Sequence, residues 1–298
     1  MIKSFSDLMK EAKARGPKKV AVAVAQDEVV LEALDAARAE KIATPLLFGD
    51  KKAIEEAAAK AKVDLKGWDI TDIKDMAEAS KAAVQAVSQG KADFLMKGLV
   101  ATSTFLKAVL DKEVGLRTGR LLSHVAVMEL PAYPKIFFIT DGGMCVKPDL
   151  TAKVDIINNA VDVAHKLGIE TPKVAVLAAV EVVNPEMPET ADAAELSKMA
   201  ERGQFKGCLV DGPLALDLAV SAEAARHKKV KSAVAGDADI LILPEIAAGN
   251  ILAKGFIYMA NARAAGLIAG ATKPVVMLSR ADSKEQKLNS IALGVVSC

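Results

Sequence analysis

Short apolar segments alternate with longer helical segments along most of this sequence. In the first part of the chain, the segments with the length and composition of strands are residues 18–25, 45–48, 68–70 and 92–96. The segments with the apolar spacing or Ala-rich composition of helices are residues 27–39, 51–62, 75–89 and 101–110. Strands that alternate with helices pair in parallel through right-handed crossovers. The alternation therefore predicts an α/β fold with a mostly parallel sheet.

The second part of the chain departs from strict alternation. Residues 125–130 and 136–140 read as two strands without a helix between them, which favours an antiparallel hairpin. Further strands are predicted at residues 174–179, 209–210, 240–243 and 274–278, and further helices at 151–167, 191–202 and around 249–254. At 298 residues the chain is close to the size at which proteins divide into domains. We expect two lobes, one formed by residues 1–116 with 273–298 and the other by residues 117–272.

Composition excludes several classes of protein. Lys and Arg number 39 against 38 Asp and Glu, so the sequence lacks the basic excess of a nucleic-acid-binding protein. The cysteines Cys145, Cys208 and Cys298 are far apart and have no CxxC spacing, which favours reduced thiols. The sequence contains neither a signal core nor the ~20 apolar residues of a membrane helix, so we expect no membrane association and a cytoplasmic protein. The histidines are scattered without metal-ligand spacing, so we expect no metal site.

Glycine and polar residues follow directly after several predicted strands. Because parallel strands direct their carboxyl ends to one side, these loops could line one cleft. The loops are Lys97-Gly98, Asp141-Gly142-Gly143, Asp211-Gly212-Pro213, Pro244-Glu245 through Gly249-Asn250, and Ser279-Arg280. Glycine after a strand is also ordinary turn chemistry, so no single loop decides the matter. Motifs of the forms GxGxxG, GxxxxGK[ST] and GxSxG are absent.

The loop after residues 274–278 contains three side chains that can take part in catalysis or anion binding. That apolar, β-branched segment predicts a strand buried on both faces of a parallel sheet. Ser279, Arg280 and Asp282 follow it, and Ser283 with Gln286 predicts a capping box at the start of a helix. A hydroxyl, a guanidinium and a carboxylate beside a helix N-terminus suit an anion undergoing chemistry, although Ser and Asp also occur there simply as helix caps.

Several long blocks of the sequence resemble one family. The blocks are MKGLVATSTFL, GLRTGRLLSHVAVME, KGCLVDGPLALDLA, AGDADILILPEIAAGNILAK and VMLSRADSKEQKLNSIAL. They are similar to the phosphate acetyl/butyryl transferase family, and most similar to its butyryl-specific members. The resemblance implies two αβα lobes like those of isocitrate and isopropylmalate dehydrogenases, with an active site in the cleft. It also implies reversible acyl transfer between acyl-CoA and phosphate, with coenzyme A as a substrate, no permanently bound cofactor, and a homo-oligomer that is at least a dimer.

The same resemblance assigns roles to individual residues. Ser279 and Arg280 match a pair that stabilises the reacting carbonyl and binds the phosphoryl group. The resemblance does not supply the general base; Asp282 and Glu285 are the nearest acids, and we take Asp282 as the candidate. The phosphate-binding candidates are Thr102, Ser103, Lys107 and Arg280, and the coenzyme A-binding candidates are Asp211, Gly212, Pro213, Gly249, Asn250 and Lys254.

Two positions depart from the acetyl-specific pattern. Lys107 stands where those relatives carry arginine, which removes the bidentate fork. Gln286 stands where they carry an aspartate thought to deprotonate the thiol, which leaves the identity of the base open. A non-catalytic acyl-CoA-binding or regulatory protein and a dehydrogenase of the same fold are the alternatives. Cys145 is a weaker candidate nucleophile.

Overall fold

The structure, a computed structural model, describes residues 1–277, 279 and 281–298. Contacts divide the chain into two compact units. We call residues 5–120 with 265–298 the first lobe, and residues 1–4 with 121–264 the second lobe. The boundaries predicted from the sequence, after residues 116 and 272, lie within eight residues of the positions where the chain passes from one unit to the other, after residues 120 and 264. That the lobes are separate folding domains stays a prediction.

The elements follow one another in the alternating order expected from the sequence. The chain begins with α1 (Phe5–Arg15), β1 (Lys18–Ala23), α2 (Glu28–Ala39), β2 (Ala43–Gly49), α3 (Lys51–Ala61), β3 (Asp69–Asp72), α4 (Met76–Ser88), β4 (Phe94–Lys97) and α5 (Thr102–Val109). It continues with β5 (Ser123–Glu129), β6 (Phe137–Thr140), α6 (Leu150–Lys166), β7 (Lys173–Leu177), α7 (Pro188–Glu201), β8 (Leu209–Leu214), α8 (Leu216–Val220), α9 (Ala222–His227), β9 (Ile240–Ile242) and α10 (Ile246–Met259). The last elements are β10 (Arg263–Ala269), β11 (Val275–Val276) and α11 (Lys284–Val296).

The strands of the first lobe lie in the order β3-β2-β1-β4-β11-β10. Every pair in this series is parallel except β10 with β11, which is antiparallel. Three of its helices begin immediately after an aspartate whose carboxylate accepts hydrogen bonds from backbone N–H groups of the first turn, at Asp27, Asp50 and Asp75. These caps place a helix start beyond the carboxyl ends of β1, β2 and β3.

The strands of the second lobe lie in the order β5-β6-β9-β7-β8. β5 and β6 form the predicted antiparallel pair, and the remaining neighbours are parallel. On one side of this sheet the core is built from aliphatic residues of the strands and from α8, α9 and α10. An α/β fold with a mostly parallel sheet is thus confirmed. No helix in the described part of the chain is long and apolar enough to cross a membrane.

Several predicted elements need correction. The sequence did not predict β10, whose residues RAAGLIA are mostly small rather than β-branched, nor the short helices α8 and α9. The strand predicted at 209–210 continues to Leu214, so the prediction that Asp211-Gly212-Pro213 follows that strand is wrong. The described part of β11 is buried as expected, but it has a parallel neighbour on one side only.

Candidate active site

Three neighbouring strands of the first lobe end side by side. Ala23 at the end of β1 pairs with Lys97 at the end of β4, and Val276 of β11 pairs with Met96. The parallel direction of these strands brings Gly98 and Ser279 to the same edge of the sheet. Two of the loops singled out in the sequence therefore meet within one lobe.

Gly98 is required by the backbone that surrounds it. A Cβ atom at this position would lie 2.2 Å from the carbonyl oxygen of Val24. Val24 itself is fully buried and has a φ of +59°, a conformation that β-branched residues rarely adopt. The Gly98 N–H donates to Ala23 O (2.9 Å), and the Leu99 N–H donates to Val24 O (2.7 Å). These hydrogen bonds, together with the strained backbone of Val24, fix the loop that leads into α5.

The residues Thr102 and Ser103 open α5 and are exposed. The N-cap residue, Ala101, provides no side-chain hydrogen bond to the first turn, so backbone N–H groups there are free to bind an anion. Lys107 is exposed in the last turn of the same helix, five residues and roughly 7.5 Å along the axis from Thr102. The structure thus places Thr102 and Ser103 together but puts Lys107 at the other end of the helix.

The loop after β11 forms a closed turn. The Ser279 N–H donates to the Asp282 carboxylate (2.8 Å), and the Asp282 N–H donates back to Ser279 O (3.2 Å). Ser279 is exposed, and its hydroxyl accepts from the Ala281 N–H at 3.3 Å. Asp282 is therefore engaged in holding the turn, and its role as general base stays a prediction. Arg280 and the neighbouring Leu278 lie outside the described residues.

The capping box predicted at Ser283 and Gln286 is confirmed. The Ser283 hydroxyl accepts from the Gln286 N–H (3.2 Å), and the Gln286 amide oxygen accepts from the Ser283 N–H (2.8 Å). The Gln286 side chain thus has a structural role at the start of α11. One residue further, the buried Lys287 donates to two carbonyl oxygens of the preceding turn, a contact that sequence reasoning missed.

In the second lobe, Asp141 is a buried polar residue with several hydrogen-bond partners, and the sequence assigned it no individual role. It is 2% exposed, and its carboxylate accepts hydrogen bonds from the backbone N–H groups of His124 (2.8 Å), Gly143 (2.7 Å) and Met144 (2.8 Å). Such a carboxylate organises the loop after β6 in the way that a cap organises a helix. The position of Asp141 at a strand end was visible in the sequence, but its donors were not.

Gly249 and Asn250 lie against this Asp141 loop. A Cβ atom on Gly249 would approach the Asp141 carbonyl oxygen to 2.6 Å, and the Asn250 side chain donates to Gly142 O at 3.1 Å. The N-terminal turn of α10 is therefore joined directly to the strand end of β6. Lys254 lies further along α10 on its exposed surface.

The segment Asp211-Gly212-Pro213 lies inside β8 at the edge of the sheet. The Asp211 carboxylate accepts from the Ser197 hydroxyl (3.0 Å) and from the Gly212 N–H (2.8 Å). A Cβ atom at Gly212 would lie 2.7 Å from Val176 O, where the register between β7 and β8 is irregular. These contacts give Asp211 and Gly212 a structural role, and the role of all three residues in coenzyme A binding stays a prediction.

The three thiols differ in environment. Burial, and next the charge of Asp141, raise the pKa of Cys145 to about 12, and burial raises the pKa of Cys208 to about 11. Cys298 is exposed. In the part of the chain that the structure describes, no group of three His, Cys, Asp or Glu residues could hold a metal ion.

These pKa values predict selective alkylation. Because the thiolate is the reactive form, iodoacetamide at pH 8 should modify Cys298 and leave Cys145 and Cys208 unmodified, with modification of Cys145 increasing as the pH rises toward 12. Peptide mass spectrometry gives the labelled sites, and labelling in denaturant provides the control in which all three react. Rapid labelling of Cys145 in the folded protein at pH 8 would contradict this expectation.

Comparison with known proteins places the chain in a family. The sequence profile described as phosphate acetyl/butaryl transferase matches residues 4–82 and 74–295, which together span almost the whole chain. The chain belongs to this family. It is 52% identical over 296 residues to a phosphate butyryltransferase from Clostridium acetobutylicum, covering 99% of this chain and 98% of the relative. It is also 50% identical over 289 residues to a phosphate acetyltransferase from Thermotoga maritima, covering 97% and 98%. The resemblance inferred from the sequence is confirmed.

Solved structures agree with the fold. A branched-chain phosphotransacylase from Enterococcus faecalis V583 superimposes with a TM-score of 0.84 at 35% identity, over 94% of this chain and 98% of that one. A 4-hydroxythreonine-4-phosphate dehydrogenase from Klebsiella pneumoniae superimposes with a TM-score of 0.56 at 12% identity, over 95% of this chain and 100% of that one. The second likeness concerns the fold alone and gives no support to a dehydrogenase activity.

Proposed function

We propose that this protein catalyses the reversible transfer of a short acyl group between coenzyme A and inorganic phosphate, with butyryl-CoA as the preferred substrate. The observation that carries the proposal is the 52% identity to a phosphate butyryltransferase over almost the full length of both chains. A similar identity to a phosphate acetyltransferase leaves the acyl length to experiment. Coenzyme A acts as a substrate, and no cofactor is bound permanently.

The transfer proceeds by direct attack within a ternary complex. In the direction of acyl-CoA synthesis, the coenzyme A thiol loses its proton to a base, and the thiolate attacks the carbonyl carbon of the acyl phosphate. The carbonyl π electrons move to the oxygen, and collapse of this oxyanion expels phosphate as the C–O bond breaks. The Ser279 hydroxyl and Arg280 stabilise the oxyanion and the leaving phosphate. The free N–H groups at the start of α5 support phosphate binding.

Coenzyme A binding is assigned to the second lobe in this proposal. The join between Gly249, Asn250 and the Asp141 loop supports a rigid surface there. Asp282 is the proposed base: one of its carboxylate oxygens accepts a hydrogen bond from the Ser279 N–H, and the other would take up the thiol proton. The departing phosphate can accept that proton instead.

A thiol-release assay tests this function. The purified protein is mixed with butyryl-CoA, phosphate and a chromogenic thiol reagent, and the reaction is repeated with acetyl-CoA and without phosphate. We expect phosphate-dependent thiol release that is faster with butyryl-CoA. A blank without acyl-CoA corrects for the exposed Cys298. Acyl-CoA binding without phosphate-dependent release would instead identify a non-catalytic acyl-CoA-binding protein.

We further propose that the protein is a cytoplasmic homo-oligomer that associates through α10. The inner side of this helix packs on the second lobe through Leu252, Phe256 and Ile257. Its outer side exposes Ile251 (72%), Tyr258 (68%) and Met259 (88%), with Lys254 as the one charged residue of the helix. Large exposed apolar side chains grouped in this way mark association surfaces. A second copy of the chain fits because a two-fold axis sets the same apolar surface against itself.

Charged substitutions on this surface should produce monomers. We expect the double variant Ile251→Glu and Met259→Glu to halve the mass measured by light scattering after size-exclusion chromatography, because two carboxylates would be placed in an apolar contact. Val182→Glu is the matched control, since Val182 is 63% exposed elsewhere in the second lobe. An unchanged mass in the double variant would place the association surface elsewhere.

A further inference from the structure

Lys287 lies beneath the turn that carries the candidate catalytic residues. It is only 2% exposed, although lysine is almost never buried without a partner. It sits in the second turn of α11, and its side chain extends back toward the start of the helix, as helical side chains do. Its ammonium group donates to Ser279 O (3.2 Å) and to Asp282 O (2.9 Å).

These two carbonyls belong to the first and last residues of the turn. Two more hydrogen bonds join the same two residues. The Ser279 N–H donates to the Asp282 carboxylate, and the Asp282 N–H donates to the Ser279 carbonyl oxygen. Lys287 therefore fixes both ends of a four-residue segment. Arg280 lies between these two residues in the sequence, so Lys287 holds the segment that carries both candidate catalytic residues.

The charge of Lys287 is the second observation. Among the described residues, no carboxylate lies within ion-pair distance of its ammonium group. The other strongly buried lysine of an α-helix, Lys153, shows the usual solution, because it forms an ion pair with Asp192. A buried cation without an acidic partner lowers the stability of the protein unless something else compensates it. An anion bound at the turn would supply that compensation.

We propose that Lys287 is a positioning residue for the phosphate-dependent reaction. Its hydrogen bonds hold the turn in the arrangement from which the Ser279 hydroxyl acts on the reacting acyl phosphate, and its charge favours phosphate at the turn. The ammonium group acts through the turn and does not touch the substrate. This inference rests on the proposed acyltransferase function.

Substitution of Lys287 by Met removes the charge and the hydrogen bonds while keeping most of the side-chain volume. We expect kcat/KM for phosphate to fall by roughly 10- to 100-fold, the range for losing a charged hydrogen-bonding group. The KM for butyryl-CoA should change by less than about threefold, because the proposed coenzyme A contacts lie in the second lobe. Thermal stability should change little, since the loss of the two hydrogen bonds to Ser279 O and Asp282 O offsets the removal of a buried charge that has no acidic partner.

Two further variants make the interpretation specific. Lys284→Met is the matched control, because Lys284 is exposed in the first turn of the same helix, and it should have wild-type kinetics. Lys287→Gln keeps an N–H donor but loses the charge, so it should recover part of the loss in kcat/KM for phosphate. It also provides a second test if the Met variant does not fold.

Three outcomes would overturn the inference. The first is wild-type kinetics in folded Lys287→Met or Lys287→Gln protein. The second is an equal loss for phosphate and butyryl-CoA that matches the unfolded fraction, which would make Lys287 purely structural. The third is a wild-type protein without phosphate-dependent thiol release, which would remove the proposed function itself. The wild-type reaction run in parallel distinguishes this third outcome from the other two.

Discussion

Replacing Arg280 by Ala should reduce kcat by about 10²- to 10³-fold, the typical effect of removing one donor that stabilises transition-state charge. In the proposed mechanism, the guanidinium neutralises phosphate through two parallel hydrogen bonds. The other phosphate-binding candidates, Thr102, Ser103 and Lys107, cannot form such a bidentate pair. The fold should survive, because the neighbouring Ser279 and Ala281 are exposed. Steady-state kinetics with butyryl-CoA and phosphate measures the effect, and circular dichroism confirms folding.

Two substitutions show whether this effect is specific to Arg280. Arg280→Lys keeps the charge but loses the bidentate geometry, so we expect intermediate activity. Arg202→Ala removes an exposed arginine at the C-cap of α7 and should leave turnover unchanged. Wild-type turnover in well-folded Arg280→Ala protein would remove Arg280 from the mechanism, and the phosphoryl group would then have to be bound by the start of α5 and other cations.

The parts of the fold that local sequence determines were predictable. The caps at Asp27, Asp50 and Asp75 and the capping box at Ser283 depend on residues two or three positions away, so their signals lie within one turn of helix. The alternation of strands and helices along the sequence likewise predicted parallel pairing for most of the strands. These local signals also placed Ser279 at a strand end.

Other features depend on residues that are distant in the sequence. The pairing of β10 with β11 is antiparallel, and the composition of β10 gives little indication of a strand. Asp141 accepts an N–H group from His124, 17 residues earlier, and its loop contacts Asn250, 108 residues beyond Gly142. Nothing in the sequence indicates that Lys287 is buried, because that depends on how the turn formed by Ser279 and Asp282 packs over its side chain. Such residues become recognisable only when the folded chain brings their partners together.

Asp141→Ala should have the largest effect on stability. The substitution leaves three N–H groups without their acceptor in a site that is 2% exposed. Each buried donor left unpaired costs about 1–3 kcal/mol, so we expect a loss of roughly 3–6 kcal/mol in the free energy of unfolding, because some of these groups will gain water. Urea denaturation measures this loss as a lower midpoint at an unchanged slope.

Asp141→Asn and Asp149→Ala separate the role of the buried carboxylate from that of an ordinary helix cap. Asn keeps one oxygen, which can still accept from Gly143 and Met144, but its amide group faces the His124 N–H, so the loss should be smaller than with Ala. Asp149 is exposed and caps α6 through one hydrogen bond, so its substitution should cost only about 1 kcal/mol. If Asp141→Ala cost no more than Asp149→Ala, water or a shifted loop would be replacing the carboxylate. A stable Asp141→Ala variant with a raised KM for butyryl-CoA would show that the loop matters chiefly for holding Gly249 and Asn250 against coenzyme A.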